Sequence, residues 1–177
     1  TKYTSDLLLN LLSWAKSQMG GVNVHLAAVN VKGIVDKAAI NKIPAAAKKN
    51  IKLTYSINPS LKAIADADML HIIIRNLVNN AIKFTNAGGD IYIKAARADN
   101  EVEISVQDTG IGIPKDKRNS IFSLKTESTF GTDNEKGIGI GLMMCKDFMN
   151  YQNGKIWFES TEGVGTTFFI SLPVALR

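Results

Sequence analysis

The sequence contains a single cysteine, only two histidines and no long run of apolar residues. A lone Cys145 excludes an internal disulfide and a cysteine-rich metal cluster, so packing within a helix is the simplest role for it. No apolar run is long enough for a membrane span, and no charged segment followed by an apolar one opens the chain, which argues against a signal peptide. We therefore expect a soluble chain.

Clustered positive charge is also missing, although the formal net charge is +5. Consecutive basic residues occur only as pairs such as Lys48-Lys49, and aromatic residues do not alternate with basic ones as they do in proteins that stack nucleic-acid bases. The excess of basic residues is interpreted as a contribution to solubility and to phosphate attraction. Nucleic acid is not expected as a partner.

The composition, with 45% hydrophobic and 21% charged residues in 177, suits one globular domain with a short appendage. An amphipathic helix is predicted over residues 5–18, ending at Met19-Gly20-Gly21, and we expect it outside the main core. A second helical stretch runs from Val31 to Lys49. Because Pro44 removes a backbone donor, this stretch should kink or break near residues 41–44.

Alternation of apolar and polar residues predicts strands that are joined by turn-forming residues. The predicted strands cover residues 52–57, 89–97, 101–107, 155–160 and 166–172. The second and third strands are predicted to form one hairpin, and the fourth and fifth another. In the third strand Val102, Ile104 and Val106 share one face, which leaves the other face of the sheet to solvent. The polar stretch from Ser123 to Lys136 is predicted to form a lid.

A helix is predicted over residues 67–85, where Asn76, Asn80 and Lys83 would lie along one stripe. The stripe borders a broad apolar face formed by Leu70, Ile73, Ile74, Leu77, Ala81 and Phe84. An asparagine carbonyl oxygen is a hard ligand that suits Mg²⁺. Taken alone, the pattern more often reflects asparagines that cap or bridge neighbouring loops.

Two glycine-rich motifs follow this helix. Asp108 ends a strand ahead of Gly110 and Gly112, and its carboxylate can accept the adenine amino hydrogen, whereas guanine would present an oxygen. The series Gly137, Gly139 and Gly141 precedes a predicted helix, whose N-terminus favours phosphate. Taken alone, the first motif could be a plain Asp-Thr-Gly turn and the second a flexible hinge. The second motif has neither the spacing of a Walker loop nor that of a dinucleotide fingerprint.

Five short motifs occur in a fixed order along the chain. They are RNLVNNAIKFT at residues 75–85, DTGIGIP at 108–114, IF at 121–122, KGIGIGL at 136–142 and GVGT at 163–166. In this order they resemble the N, G1, F, G2 and G3 boxes of the catalytic ATP-binding domain of bacterial sensor histidine kinases. The resemblance covers roughly residues 24–173, and five ordered boxes are far more specific than any one of them.

The resemblance implies an α+β fold, a two-layer α/β sandwich in which a mixed sheet of about five strands packs on three helices. ATP would lie between the asparagine-rich helix and a lid at about residues 123–136. The chain would divide into a remnant of the dimerisation and phosphoacceptor helical hairpin at residues 1–20 and the catalytic ATP-binding domain at residues 21–177.

The resemblance also implies roles for single residues. Asn80 would be the principal Mg²⁺ ligand, Asn76 would lie beside the metal or its waters, and Lys83 would neutralise phosphate charge. Phe84 would line the adenine and Asp108 would accept from its amino group. The remaining residues expected to bind the nucleotide are Gly110, Gly112 and Thr166 around the adenine, and Lys136, Gly137, Gly139, Gly141 and Leu142 around the phosphates.

Position 76 distinguishes relatives of this fold, because members that hydrolyse ATP carry a glutamate there as the base for water. Asn76 cannot take that proton, so hydrolysis should be slow and the γ-phosphate kept for a protein acceptor. The acceptor histidine is expected outside this chain, since neither His25 nor His71 lies in a suitable motif. No catalytic residue is therefore assigned within the chain itself.

The resemblance implies partners as well: the phosphoacceptor hairpin of the same protein, the receiver domain of a response regulator, and a second copy in a full-length homodimer. The domain would be cytoplasmic, and a parent protein anchored in the inner membrane is compatible with it. Two alternatives use the same fold. One is an anti-sigma-type serine kinase, and the other is a nucleotide-sensing module that catalyses nothing.

Overall fold

The computed structural model of the chain describes residues 23–123, 131–133 and 139–175. The predicted helix at residues 5–18, most of the predicted lid, and the site candidates Lys136 and Gly137 lie outside these ranges. Within them, helices cover one side of a mixed five-stranded sheet, which confirms the predicted α+β sandwich.

Seven strands are present in the described residues. In chain order they are β1 (Ala27–Asn30), β2 (Lys52–Ile57), β3 (Lys62–Ala65), β4 (Asp90–Ala98), β5 (Glu101–Asp108), β6 (Lys155–Thr161) and β7 (Gly165–Pro173). The main sheet has the order β2-β4-β5-β7-β6, with β2 and β4 parallel and the other pairs antiparallel. The five predicted strands are these five.

The small sheet formed by β1 and β3 was not predicted. Its two strands pair antiparallel, with Ala27 opposite Ala65. Each strand has only four residues, which is too short for apolar and polar residues to alternate detectably.

Four α-helices lie in the described residues: α1 (Val31–Ile40), α2 (Ile43–Lys48), α3 (Ala67–Phe84) and α4 (Gly141–Tyr151). The predicted break near Pro44 is confirmed, because α1 ends at Ile40 and Pro44 lies in the first turn of α2, where a missing N–H costs nothing. None of the helices within the described ranges is long and apolar enough to span a bilayer.

Helix α3 is the asparagine-rich helix, and side chains fix both of its ends. Asp66 caps the N-terminus, because its carboxylate accepts hydrogen bonds from the amides of Asp68 and Met69. At the other end the hydroxyl of Thr85 donates to the carbonyl of Ala81 at 2.6 Å. The predicted span of residues 67–85 is confirmed to within one residue.

The core lies between α3 and the sheet. Leu70, Ile73, Ile74 and Leu77 of α3 are all buried, as predicted for its apolar face. They pack with inward residues of the sheet, among them Ile93, Ile104 and Ile170. Burying an aliphatic side chain stabilises a fold by about 1.5–3 kcal/mol, so this layer holds α3 firmly against the strand that ends at Asp108.

Candidate functional site

One end of the candidate site, the carboxylate end, consists of Asp108, Gly110 and Thr166. Asp108 is the last residue of β5 and is 7% exposed. Its Oδ1 accepts hydrogen bonds from the backbone amides of Gly110 at 2.8 Å and Thr166 at 3.2 Å. Among the described residues both bonds end on Oδ1, which leaves Oδ2 to accept from a ligand.

Burial determines the electrostatics of this carboxylate. Loss of water raises the pKa of Asp108 to about 6, and the two backbone amides act in the opposite direction by favouring the charged form. The carboxylate is thus ionised at neutral pH with little water to solvate it. A donor that approached Oδ2 would form a hydrogen bond to a poorly hydrated charge, which is stronger than one formed in water.

The turn after Asp108 is pressed against the end of α3. The amide of Ile111 donates to the carbonyl of Phe84 at 3.0 Å, and a Cβ at Gly110 would collide with that carbonyl oxygen. Gly112 has a φ of +70° and faces the backbone of Thr161. These glycines are needed because the chain passes too close to neighbouring backbone for any side chain.

A serine that the sequence analysis did not single out supports the carboxylate end. Ser160 Oγ accepts from the amide of Ile113 at 2.8 Å and shares a hydrogen bond of 2.9 Å with Thr166 Oγ1. Ser160 lies opposite Thr166 in the β6–β7 pair. Ser160 ends one predicted strand (155–160) and Thr166 begins the next (166–172), and this placement was the signal that could have identified Ser160.

The other end, the amide end, consists of Asn76, Asn80 and the N-terminus of α4. Asn76 is 5% exposed, and its Nδ2 lies 3.8 Å from the Sγ of Cys145 on α4. A Cβ at Gly141, the first residue of α4, would lie 3.9 Å from Oδ1 of Asn76. The structure therefore brings Asn76 of the asparagine-rich motif close to Gly141 of the second glycine motif.

The start of α4 is suited to an anion. Its N-cap residue is Ile140, and no side chain of the described residues caps the helix, so the first amides of α4 remain available as donors. Gly139 just before it has a φ of +79°. Leu142 in the first turn is partly buried and packs against the core.

Asn80 and Lys83 follow Asn76 along α3, at the edge of the buried face. Asn80 is half-buried, and its amide forms no hydrogen bond within the described residues. Lys83 Nζ lies 4.7 Å from the centre of the Phe84 ring, a cation–π distance. The predicted site residues outside the described ranges, Lys136 and Gly137, remain predictions.

Comparisons with known proteins agree with this geometry. The family described as Histidine kinase-, DNA gyrase B-, and HSP90-like ATPase matches residues 65–176. The Adaptive-response sensory kinase SasA of Crocosphaera subtropica is 31% identical over 173 residues, which cover 95% of this chain and 44% of that protein. The chain thus spans less than half the length of the curated relatives it matches.

Three solved structures have a fold similar to that of this chain. The catalytic domain of histidine kinase ThkA has a TM-score of 0.74 and 28% identity, covering 84% of this chain and 95% of that one. ThkA in complex with the response regulator TrrA has a TM-score of 0.78 at 24% identity, covering 99% and 49%. Full-length ShkA in complex with AMPPNP has a TM-score of 0.81 at 29% identity, covering 99% and 37%.

The family match extends over more than half of the 177 residues and contains Asn76, Asp108, Gly141 and Thr166. The two ends of the site therefore both lie inside it. This chain belongs to the family of histidine kinase-, DNA gyrase B-, and HSP90-like ATPases.

Proposed function

We propose that this chain binds ATP together with Mg²⁺ and is the kinase part of a two-component sensor histidine kinase. The γ-phosphoryl group would pass to a histidine outside the chain and then to an aspartate of a response regulator. The domain boundaries predicted at residues 20 and 21 and the role of each site residue belong to this proposal.

The observation that carries the proposal is the arrangement of hydrogen bonds at Asp108. Two backbone amides hold Oδ1, so the carboxylate is fixed in direction, and Oδ2 has no partner among the described residues. A fixed acceptor recognises the exocyclic amino group of adenine. Guanine would place its own oxygen against the carboxylate and leave both groups unpaired. Because unpaired buried polar groups are costly, the site would discriminate strongly against guanine.

The amide end fits a triphosphate and its metal. Amides at the start of α4 would bind phosphate oxygens. The amide of Asn80, which forms no hydrogen bond within the described residues, would offer Mg²⁺ a hard oxygen ligand, with Asn76 one turn before it on α3. When bound, Mg²⁺ would neutralise charge on the phosphates during transfer. Lys83 would supply further positive charge near the same end.

Transfer to a protein rather than to water is supported by Asn76. Its amide is buried beside Cys145 and has no proton-accepting nitrogen or carboxylate. Water at this position would therefore lack a general base, which slows hydrolysis. The acceptor histidine on a helical hairpin, the receiver domain and the homodimer of the whole protein are proposed from the sensor kinases that the chain resembles.

Isothermal titration calorimetry with the ATP analogue AMPPNP tests nucleotide binding. We expect Mg²⁺-dependent binding by the native chain, and Asp108→Asn should weaken it by about 100-fold, because an amide can present its NH₂ group to the adenine donor. Asp99→Asn is the matched control, since it makes the same change at an exposed turn. Equal affinities of all three proteins would contradict the role of Asp108.

Phosphoryl transfer is tested separately by adding a hairpin segment that carries a histidine to the chain with labelled ATP. We expect label on the hairpin that is stable in base and lost in acid, as for phosphohistidine. Label that survives acid would instead identify a serine kinase. Normal binding without any label on a complete hairpin would identify a module that only senses nucleotide.

A further inference from the structure

Lys49 is a buried lysine that no predicted motif contains. It follows α2 directly, and the residue is 8% exposed. Its ammonium donates to the carbonyl oxygens of Ile82 at 3.0 Å and Lys83 at 3.3 Å. These are carbonyls of the last turn of α3, where a helix exposes unsatisfied acceptors and the negative end of its dipole.

The same ammonium reaches a third segment of the chain, residues 131–133. It donates to Thr132 Oγ1 at 2.6 Å and lies 4.0 Å from a carboxylate oxygen of Asp133. Thr132 and Lys49 are 83 positions apart in the sequence. One charged group thus joins the end of α2, the end of α3 and a short piece of the chain that precedes α4.

Thr132 makes further bonds to the end of α3. Its amide donates to the carbonyl of Lys83 at 3.0 Å, and its hydroxyl lies 3.0 Å from the carbonyl of Thr85. The carbonyl of Lys83 therefore accepts from both Lys49 and Thr132. Lys83 and Phe84, whose side chains belong to the proposed nucleotide site, are held by backbone contacts that depend on this pair.

We propose that Lys49 is a positioning residue for nucleotide binding: its ammonium fastens Thr132 to the last turn of α3 and so fixes the backbone that carries Lys83 and Phe84. The inference rests on the proposed function, because it concerns the affinity of the same site for a nucleoside triphosphate. Lys49 acts through the carbonyls of α3 and touches no nucleotide itself. Binding of the nucleotide and attachment of residues 131–133 to α3 are then coupled in both directions.

Lys49→Met tests this inference, because methionine keeps an unbranched chain and removes only the ammonium. The affinity for Mg²⁺ and AMPPNP, measured by calorimetry on the full chain, should fall about tenfold, as expected for the loss of charge-assisted hydrogen bonds. Lys48→Met is the control. It removes the same charge from an exposed neighbour, and its affinity should equal that of the native chain.

A second pair of variants decides the matter if Lys49→Met does not fold. Thr132→Val removes the hydroxyl that Lys49 binds but keeps the size and the backbone amide, and Thr132→Ser restores the hydroxyl. We expect about a threefold or greater loss of affinity in the valine variant only. Equal affinity of Thr132→Val and Thr132→Ser would overturn the inference.

Hydrogen exchange at the amide of Thr132 distinguishes positioning from plain stabilisation. AMPPNP should slow exchange at this amide in the native chain and much less in Lys49→Met. If Lys49 only stabilised the fold, the variant would lower the free energy of unfolding but keep the nucleotide-dependent protection. Failure of the native chain to bind AMPPNP would refute the proposed function. If Thr132→Val bound AMPPNP normally while Asp108→Asn lost affinity for it, only this inference would be refuted.

Discussion

The two ends of the site are built in different ways. At the carboxylate end most contacts are made by the backbone: two amides donate to Asp108, and Gly110 and Gly112 lie against other backbone atoms. At the amide end, Asn76 of α3 lies beside Gly141 at the start of α4, which no side chain of the described residues caps, and Asn80 is half-buried. The carboxylate end is therefore held in place by its backbone, whereas the amide end depends on the positions of side chains.

The largest expected effect comes from disturbing the backbone packing of the carboxylate end. Gly110→Ala would drive a methyl group into the carbonyl of Phe84 and to within 2.8 Å of Asp108 Oδ1. We expect a loss of about 3 kcal/mol in the free energy of unfolding and no measurable AMPPNP binding. Urea unfolding and calorimetry measure the two quantities.

Gly33→Ala serves as the control for that change. A Cβ there meets its nearest neighbour at 3.5 Å, within helix α1, so the substitution should stabilise the fold by about 0.5–1 kcal/mol. If Gly110→Ala behaved like Gly33→Ala, the carboxylate end would not be packed as tightly as described.

A change of similar size in the free energy of unfolding is expected from pH. Asp108 has a pKa of about 6 in the folded chain, against 3.8 for an aspartate carboxyl that is exposed to water. The folded state therefore binds the proton more tightly than the unfolded state. Its contribution to stability is present below about pH 4 and is lost as pH rises through about pH 6. The full difference corresponds to about 3 kcal/mol.

Comparison of the native chain with Asp108→Asn isolates this contribution, because asparagine keeps an acceptor for both backbone amides and does not titrate. In the absence of nucleotide, the stability of the native chain relative to the variant should fall between pH 4 and pH 7. A difference that stayed constant over this range would show that Asp108 is not desolvated.

The smallest expected effect lies at the amide end. Asn80→Ala should lower the affinity for AMPPNP about tenfold in the presence of Mg²⁺ and leave the affinity in EDTA unchanged. Asn79→Ala is the matched control, because Asn79 is the adjacent half-buried asparagine of α3 and both changes alter helix propensity equally. Equal effects of the two substitutions would contradict the proposed role of Asn80 as a Mg²⁺ ligand.

The sequence was sufficient for those parts of the fold that repeat regularly. The period of α3, the break before Pro44 and the two hairpins were all predicted, because each follows from local spacing or turn chemistry. The strands β1 and β3 were not predicted, since four residues rich in alanine carry no periodic signal. Their pairing, between Ala27 and Ala65, exists only in the folded chain.

The site divides in a similar way. Asn76, Asp108 and Gly141 could be selected in advance because their motifs are contiguous, and the structure brings Asn76 close to Gly141. Lys49 could not be selected, because one lysine beside another at the end of a predicted helix carries no pattern that points to a site. Its contacts with Ile82 and Thr132 depend on tertiary packing across 33 and 83 positions.

The packing of Cys145 behind Asn76 has a practical consequence. Its Sγ is fully buried, 3.9 Å from the carbonyl of Ile73, and burial raises the pKa of the thiol to about 12. Alkylating reagents attack the exposed thiolate, so they can modify this chain only while α3 and α4 are apart. Because the chain has no other cysteine, the rate of alkylation measures how often α3 and α4 separate.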